Sequence, residues 1–260
     1  APLKNWLVYY PIEKYCSRFT DVLITINQED YALAKKKMKA KKTEYVPGVG
    51  IDVDKFRNTV VDRTAKRKEL GIPENAFLLL SVGELNANKN HQIVIRALAQ
   101  LNDSNIHYMI AGKGDLHDEL IDLANRLGVA EQVHLLGYRN DVAELYKTAD
   151  VYCLPSIREG LNVSVMEAMA SGLPVICSCI RGNTDLISKD NCFKPQNCCA
   201  VKAIIKKTFF SFVNYGMLRP NNKNLPDAFS IRKIKNRMND IYQDTKQKNN
   251  SGCNDDGLFA

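Results

Sequence analysis

The sequence predicts an α/β fold, a doubly wound parallel Rossmann-like sheet, and three observations predict it. Residues 77–83, 106–111, 133–136, 151–154 and 174–177 are near-continuously apolar runs of strand length, the pattern of strands buried on both faces. Each run is followed by a segment whose apolar residues recur at three- and four-residue spacing, as in Leu116, Leu120, Leu123, Ala124 and Leu127. Right-handed crossovers between such units lay helices on both faces of one sheet. The composition, 45% hydrophobic and 25% charged, is that of an ordinary globular chain and excludes disorder, collagen and a small disulfide scaffold.

Taken in order, residues 22–26 read as a strand, 28–39 as a helix, and 45–48 as a short strand ending in a Pro-Gly turn. One or two strands before the helix-like stretch 63–70 are too few for an independent domain. The repeating units follow, with helices expected over 91–101, 115–127, 140–149, 162–171 and 182–187. Residues 227–244 carry the stripe Ile231, Ile234, Met238 and Ile241, and 246–260 lack apolar content and are expected to fray. The expected organisation is therefore 1–62, 63–225, 226–245 and 246–260.

The net charge of +7 is too diffuse to point to nucleic acid. No run of eighteen apolar residues is present, so no spanning helix is expected, and residues 1–10 lack the pattern of a secretory signal. A first residue of Ala suggests a piece of a longer chain. Cys16, Cys153, Cys177, Cys179, Cys192, Cys198, Cys199 and Cys253 form no C-x2-C pair, and reduced thiols are expected. The basic run 35–42 reads as a solvated face, or else as a contact with anionic lipid or a lipid-linked acceptor.

In doubly wound sheets, ligands bind beyond the carboxyl ends of the strands. The residues falling there are Gly83–Lys89, Gly112-Lys113-Gly114, Gly137-Tyr138-Arg139 and Ser156–Leu161. Glycines admit a ligand close to the backbone, and Lys89 can neutralise an anion. Gly160, Leu161 and Asn162 open a helix whose free N–H groups favour a phosphate. Glu167, farther along that helix, can accept from two vicinal hydroxyls. A phosphate, a diol and a base together describe a nucleotide.

Glu159-Gly160-Leu161-Asn162-Val163-Ser164-Val165-Met166-Glu167 resembles the E-x7-E signature of the retaining glycosyltransferases of family four, enzymes with two Rossmann-like domains in the GT-B fold. Residues 149–156, 168–175, Ser81–Leu85 with Lys89-Asn90-His91, and Ile110–Gly114 fit the same family, as do Pro47–Asp52 and Phe56 at its interdomain linker. The likeness is close over 9–187, recoverable at Phe229-Ser230 and Ile241-Tyr242, and strongest to transferases that build bacterial capsule or exopolysaccharide.

The resemblance implies roles. Lys89 would hold the donor diphosphate, with Gly83 and Gly112-Lys113 beside it. Tyr138 and Arg139 would meet the base, and Glu167 the ribose. Glu159 would contact the transferred sugar, and the amides from Gly160 through Leu161 and Asn162 to Val163 would steady the β-phosphate. Glu159 and Lys89 would be the catalytic pair. Glu84 stands where the family often has Arg, so Arg158 or Arg181 would compensate, and Asn162 stands where it often has Pro. No cofactor or metal is implied, since Asp52-Val53-Asp54 matches the family's linker turn.

The implied reaction moves a sugar, with retention, from a nucleotide-diphosphate sugar (a UDP-sugar by family lean) to a surface polysaccharide or lipid-linked glycan. The implied location is cytoplasmic, peripheral at the inner face of the membrane. Residues 1–62 would be the end of an acceptor domain, 63–225 the donor domain and 226–245 a helix crossing back. The alternative is a nucleotide-sugar-binding module without catalysis of its own.

Overall fold

The computed structural model describes residues 3–215 and 229–251, with side chains for 7–214 and 229–247. These fall into two compact units, one made of the described residues up to 50 and from 229 onward, the other of 51–215. Residues 51–62 thus go with the larger unit, although the sequence grouped them with the first segment.

The smaller unit begins with α1 (Leu3–Cys16), β1 (Val22–Thr25), α2 (Gln28–Lys37) and β2 (Lys42–Tyr45). β1 and β2 pair in parallel from Val22↔Lys42 to Thr25↔Tyr45, with α2 as the crossover. Buried Asn27 starts α2, its side chain accepting from the Asp30 amide at 2.8 Å. Lys35, Lys36, Lys37 and Lys39 of the basic run are exposed. The sequence assigned no element to α1, which contains Pro11 and leaves Leu7, Tyr9, Ile12 and Tyr15 exposed. Its apolar and polar residues are not segregated onto faces, so periodicity gave no signal.

In the larger unit come α3 (Val53–Asn58), α4 (Arg63–Glu69), β3 (Phe77–Val82), α5 (Gln92–Leu101), β4 (Ile106–Ala111) and α6 (His117–Arg126). Then follow β5 (Val133–Leu135), α7 (Val142–Thr148), β6 (Val151–Leu154), α8 (Val163–Ala170), β7 (Val175–Ser178), α9 (Asn183–Leu186), β8 (Cys192–Phe193) and α10 (Cys198–Tyr215). The sheet order is β5-β4-β3-β6-β7-β8, every pair parallel. The chain winds outward from β3 to β5, then returns to lay β6 on the other side of β3. That reversal is the topological switch point of a Rossmann-type sheet.

Central β3 explains the unbroken apolar run, since Phe77, Leu78, Leu79 and Leu80 are all wholly buried. Phe77 is met by Phe209 and Phe212 of α10, with ring centroids 5.3 and 5.1 Å away. That helix falls in a stretch for which the sequence offered no element, as is α3. The seven cysteines among the described residues are free thiols. Cys177 and Cys192 are register partners on β7 and β8, their sulfurs 3.7 Å apart.

The last element, α11 (Ile231–Ser251), returns to the smaller unit. Ile234 and Ile241, two turns apart, are buried against Val46, with Val22 and Ile24 packed around them. Ile231 and Met238 of the same stripe are 55% and 40% exposed. Of residues 246–260, expected to fray, 246–251 continue α11. Its later residues are polar but contain neither Gly nor Pro until Gly252, so nothing stops helix propagation. Residues 252–260, including Cys253, lie outside the described residues.

At the amino ends of the strands, a buried ion pair locks α4 to the sheet. Asp150 accepts from Arg67 Nη2 at 2.8 Å and from the Leu78 amide at 2.8 Å, and Arg63 joins it. Arg67 Nη1 also donates to the Glu74 and Ala76 carbonyls. Truncating one member of such a pair strands the other charge in the interior. Asp150→Ala is expected to destabilise the chain by about 3–5 kcal/mol, read as the midpoint shift in urea unfolding.

A second buried polar chain supports the loop after β3. The Tyr108 hydroxyl lies 2.7 Å from Ser81 Oγ and 2.9 Å from His91 Nδ1, and His91 Nε2 faces the Glu84 carbonyl at 3.2 Å. Burial drives the His91 pKa down from 6.5 to about 4. The unfolded chain therefore binds the extra proton first, so stability present above about pH 6.5 is lost as pH falls toward 4. For His91 the loss is roughly 3 kcal/mol. His134, also lowered to about 4 by burial and by His107, adds to the slope. Chemical unfolding at successive pH values should show a shallower acid-side slope for His91→Gln than for the parent chain.

Candidate functional site

Four loops leave the carboxyl ends of β3, β4, β5 and β6, and backbone hydrogen bonds knit the first three together. The Gly83 amide donates to Ala111 O at 3.0 Å, Leu85 N to Lys113 O at 3.0 Å, and Gly112 N to Gly137 O at 2.8 Å. A Cβ on Gly112 would lie 1.9 Å from the Gly83 carbonyl oxygen, so glycine here permits one loop to cross another. The sequence had offered Gly112 as a contact for ligand; its geometry gives it this packing task.

Across the switch point, the loop after β3 is tied to the loop after β6. Ile157 N donates to Asn88 O at 2.8 Å, and Asn88 Nδ2 to Arg158 O at 2.9 Å. The Lys89 backbone is held by its amide donating to Asn86 Oδ1, three residues earlier, at 3.0 Å. Gly83 lies against its aliphatic stem, since a Cβ there would sit 3.1 Å from Lys89 Cε. The ammonium then donates to Glu159 Oε1 at 2.8 Å. The two residues proposed as the catalytic pair are thus brought together, but as an ion pair. Glu84 is exposed and accepts from Asn86 Nδ2 at 2.8 Å.

Asn162 caps α8, its side chain accepting from the Val165 amide at 3.3 Å and from Ser164 Oγ at 2.6 Å. Leu161 is buried, while Val163 is exposed. Opposite them Gly182, at φ +80°, comes so close that a Cβ would lie 1.4 Å from the Gly160 carbonyl oxygen. In the second turn of α8, Glu167 Oε2 accepts from the Tyr146 hydroxyl at 3.0 Å. Burial raises the Glu167 pKa, against the opposing effects of the Tyr146 bond and of Lys55.

The remaining expected residues are arranged differently. Lys113 is exposed and Tyr138 is 69% exposed. The Arg139 side chain turns away to structural partners, Nε donating to Asp141 Oδ1 at 2.8 Å and Nη2 to Glu69 at 3.0 Å. Lys66 closes that network through Asp141 at 2.6 Å and Glu144 at 2.9 Å. Asp52 caps α3 by accepting from Lys55 N at 3.0 Å, and Asp54 faces Arg57 at 3.9 Å. Among the described residues no cluster of three or more His, Cys, Asp or Glu could hold a metal.

Sequence reasoning missed three groups. Asn88 Oδ1, Ser156 Oγ and Asn183 Oδ1 are buried without a hydrogen-bond partner, and they sit in the loops after β3 and β6 and at the start of α9. Buried polar atoms are rarely left unpaired, so each of these can accept a bond from water or from a ligand. Asn88 and Ser156 fall in the strand-end segments 83–89 and 156–161, but only the burial of their unpaired atoms singles them out. A cation, the N-terminus of α8 and a half-buried carboxylate together can bind an anionic, diol-bearing molecule.

The fold is the doubly wound α/β class shared with the Rossmann-like domains of GT-B glycosyltransferases. The family model for glycosyl transferases group 1 matches residues 62–209, and the chain belongs to that family. It is 35% identical over 260 residues to EpsD of Bacillus subtilis (strain 168), named as a glycosyltransferase, covering 95% of this chain and 68% of that one. It is 29% identical to the UDP-Gal:alpha-D-GlcNAc-diphosphoundecaprenol alpha-1,3-galactosyltransferase of Escherichia coli, over 92% of this chain and 64% of the relative. Among solved structures, HepE of Anabaena in complex with UDP superimposes with a TM-score of 0.80 at 21% identity, covering 89% of this chain and 66% of that one. The chain thus spans about two thirds of the length of these proteins.

Gly182→Ala tests how tightly the two loops depend on each other. Positive φ alone costs about 1–3 kcal/mol for a residue with a Cβ, and the collision with Gly160 adds to it. Differential scanning calorimetry should show a lowered transition for this variant, whereas Gly172→Ala, also at positive φ but with open space around it, should lose less.

Proposed function

We propose that this chain carries the donor-binding part of a glycosyltransferase that moves a sugar from a nucleotide-diphosphate sugar, by preference a UDP-sugar, to a growing surface polysaccharide or lipid-linked glycan. The observation that carries this reading is the meeting of Lys89 with Glu159 at the switch point, eight residues ahead of the half-buried Glu167. The galactosyltransferase relative is named for a UDP-sugar donor and a diphosphoundecaprenol acceptor, and HepE was solved with UDP-glucose; both favour uridine, and the first favours a lipid-linked acceptor.

In this reading the base and ribose lie toward the loop after β5 and Glu167, which accepts from the ribose hydroxyls. The diphosphate lies toward Lys89 and the amides of Gly160–Val163. Cleaving the bond from the anomeric carbon develops negative charge on the diphosphate. Preorganised donors aimed there lower the barrier, and a lysine with a helix N-terminus supplies them without a metal. Retention of configuration belongs to the same proposal. The acceptor reaches the protein at the cytoplasmic face of a membrane, where the exposed lysines of α2 meet anionic lipid. No helix among the described residues is long and apolar enough to cross a membrane.

A second reading, donor binding without transfer, draws on the smaller unit, whose described residues hold only a two-stranded sheet. The two part in a sugar-transfer assay with a lipid-linked acceptor. Both require nucleotide binding, which a thermal-shift comparison of UDP-, GDP- and ADP-sugars reads directly, saturating ligand at 100 Kd stabilising by about 2.7 kcal/mol. Glu167→Ala should cost roughly 1.5–3 kcal/mol of UDP affinity and much less with a ribose-deoxygenated analogue. Lys89→Ala should weaken UDP and leave uridine nearly unchanged. Equal losses for both ligands in calorimetric titration would assign Lys89 a structural role instead.

A further inference from the structure

Three thiols gather where β7 ends. Cys177 of β7 and Cys192 of β8 are register partners, and their sulfurs lie 3.7 Å apart. Cys177 is wholly buried, Cys192 is half-buried, and Cys179, just beyond β7, is exposed. Cys153 of β6 is paired with Ile176, not with Cys177, so its side chain leaves the opposite face of the sheet. β8 is two residues long and is the last strand of its sheet, with β7 as its one neighbour. Adjacent strands stand about 4.8 Å apart, inside the roughly 4.4–6.8 Å between Cα atoms that a disulfide spans. The sulfurs need only close to about 2 Å, and a short edge strand held from one side can give that much.

The two paired thiols are not equivalent. A bond from the Cys177 thiol holds the Cys192 thiol below its usual range, against burial and with help from Cys179. The same bond, together with burial, pushes Cys177 up. The proton therefore stays on Cys177, and the nucleophilic thiolate is that of Cys192. We propose that Cys177 and Cys192 form a reversible redox modification site whose oxidant is a low-molecular-weight disulfide such as glutathione disulfide. The Cys192 sulfur attacks one sulfur of the oxidant, forming a mixed disulfide and expelling a thiolate. The Cys177 sulfur then attacks Cys192, gives up its proton and expels the second thiolate. Each leaving thiolate takes up one proton, one from Cys177 and one released when Cys192 ionised. Two protein thiols are thus oxidised to one disulfide, and one small disulfide is reduced to two thiols. The new bond fastens β8 to β7 at the base of the loop that brings Gly182 against Gly160. That loop is already joined to β8, the Cys179 amide donating to Phe193 O at 2.7 Å. The site is independent of what the crevice binds.

Incubating the full chain with glutathione disulfide, then quenching with acid, alkylating and mapping peptides without reduction, tests the site. A cross-linked peptide pair joining Cys177 to Cys192 is expected, lighter by two hydrogen atoms, and dithiothreitol should restore both thiols. Cys177 and Cys179 fall on one tryptic peptide, so Cys179→Ser must keep the cross-link. Cys177→Ala should instead trap glutathione on Cys192, whereas Cys192→Ser should leave Cys177 unmodified. Thermal unfolding verifies that each variant folds, and the parent with Cys179→Ser, an exposed position, carries the test should a buried substitution fail. A folded parent in which Cys177 and Cys192 both remain open to alkylation overturns the proposal. Loss of the cross-link in Cys179→Ser overturns it too, as does glutathione found on Cys177 in Cys192→Ser.

Discussion

The parallel pairing of β3 with β6, Leu79↔Val151 and Leu80↔Tyr152, is the constraint on which the rest of the structure depends. These two strands are neighbours in space but lie some seventy residues apart in the chain, and they feed loops that diverge from a common edge. Such divergence leaves a crevice that no side chain of the sheet fills. Below it, Asp150 binds Arg67 and the Leu78 amide, fixing the height of β6 against β3. Above it, Asn88 bridges to Ile157 and Arg158. Lys89 and Glu159 are held between these two clamps.

Backbone contacts join the loops at this edge. Gly83, Gly112 and Gly137 let three loops hydrogen-bond across one another, and Gly182 lets a fourth lie on Gly160. A site mounted on loops is ordinarily its least precise part. Here the loops share one hydrogen-bonded lattice, so displacement of any one must disturb its neighbours. The same arrangement leaves Ser156 and Asn183 buried with an unpaired polar atom each. Unsatisfied groups beside a stiff lattice are a cost to the empty protein that a ligand can remove.

Charge is distributed with comparable economy. Arg139 and Lys66 are consumed by Glu69, Asp141 and Glu144, tying α4 to the start of α7, while Lys89 is consumed by Glu159. The net charge of +7 therefore says little about the crevice itself. Smaller-scale selection is seen on α11, where a stripe of four apolar residues is divided: those at 234 and 241 meet the two-stranded sheet, and those at 231 and 238 do not.

The sequence by itself determined the five principal strands of the larger unit, the helices between them and the edge at which polar residues gather. Residues 106–111 and 151–154 were legible to the residue, because burial on both faces forces an unbroken apolar run and that requirement is local. It did not reveal α1, whose apolar residues share no face, or the short α3, and it did not reveal α10 although Val201, Ile204, Ile205, Phe209 and Phe212 fall at helical spacing there. It also placed Lys89, Glu159 and Glu167 in one region while leaving their mutual relation open. Tertiary structure alone decided that Lys89 meets Glu159, that Arg139 turns to Glu69 and Asp141, and that Gly112 and Gly182 are spacers between loops. Each of these is a contact between segments brought together only when strands pair, such as the seventy positions separating Lys89 from Glu159. Local pattern encodes which face a residue buries; which charge it will find there is fixed by sheet order and register.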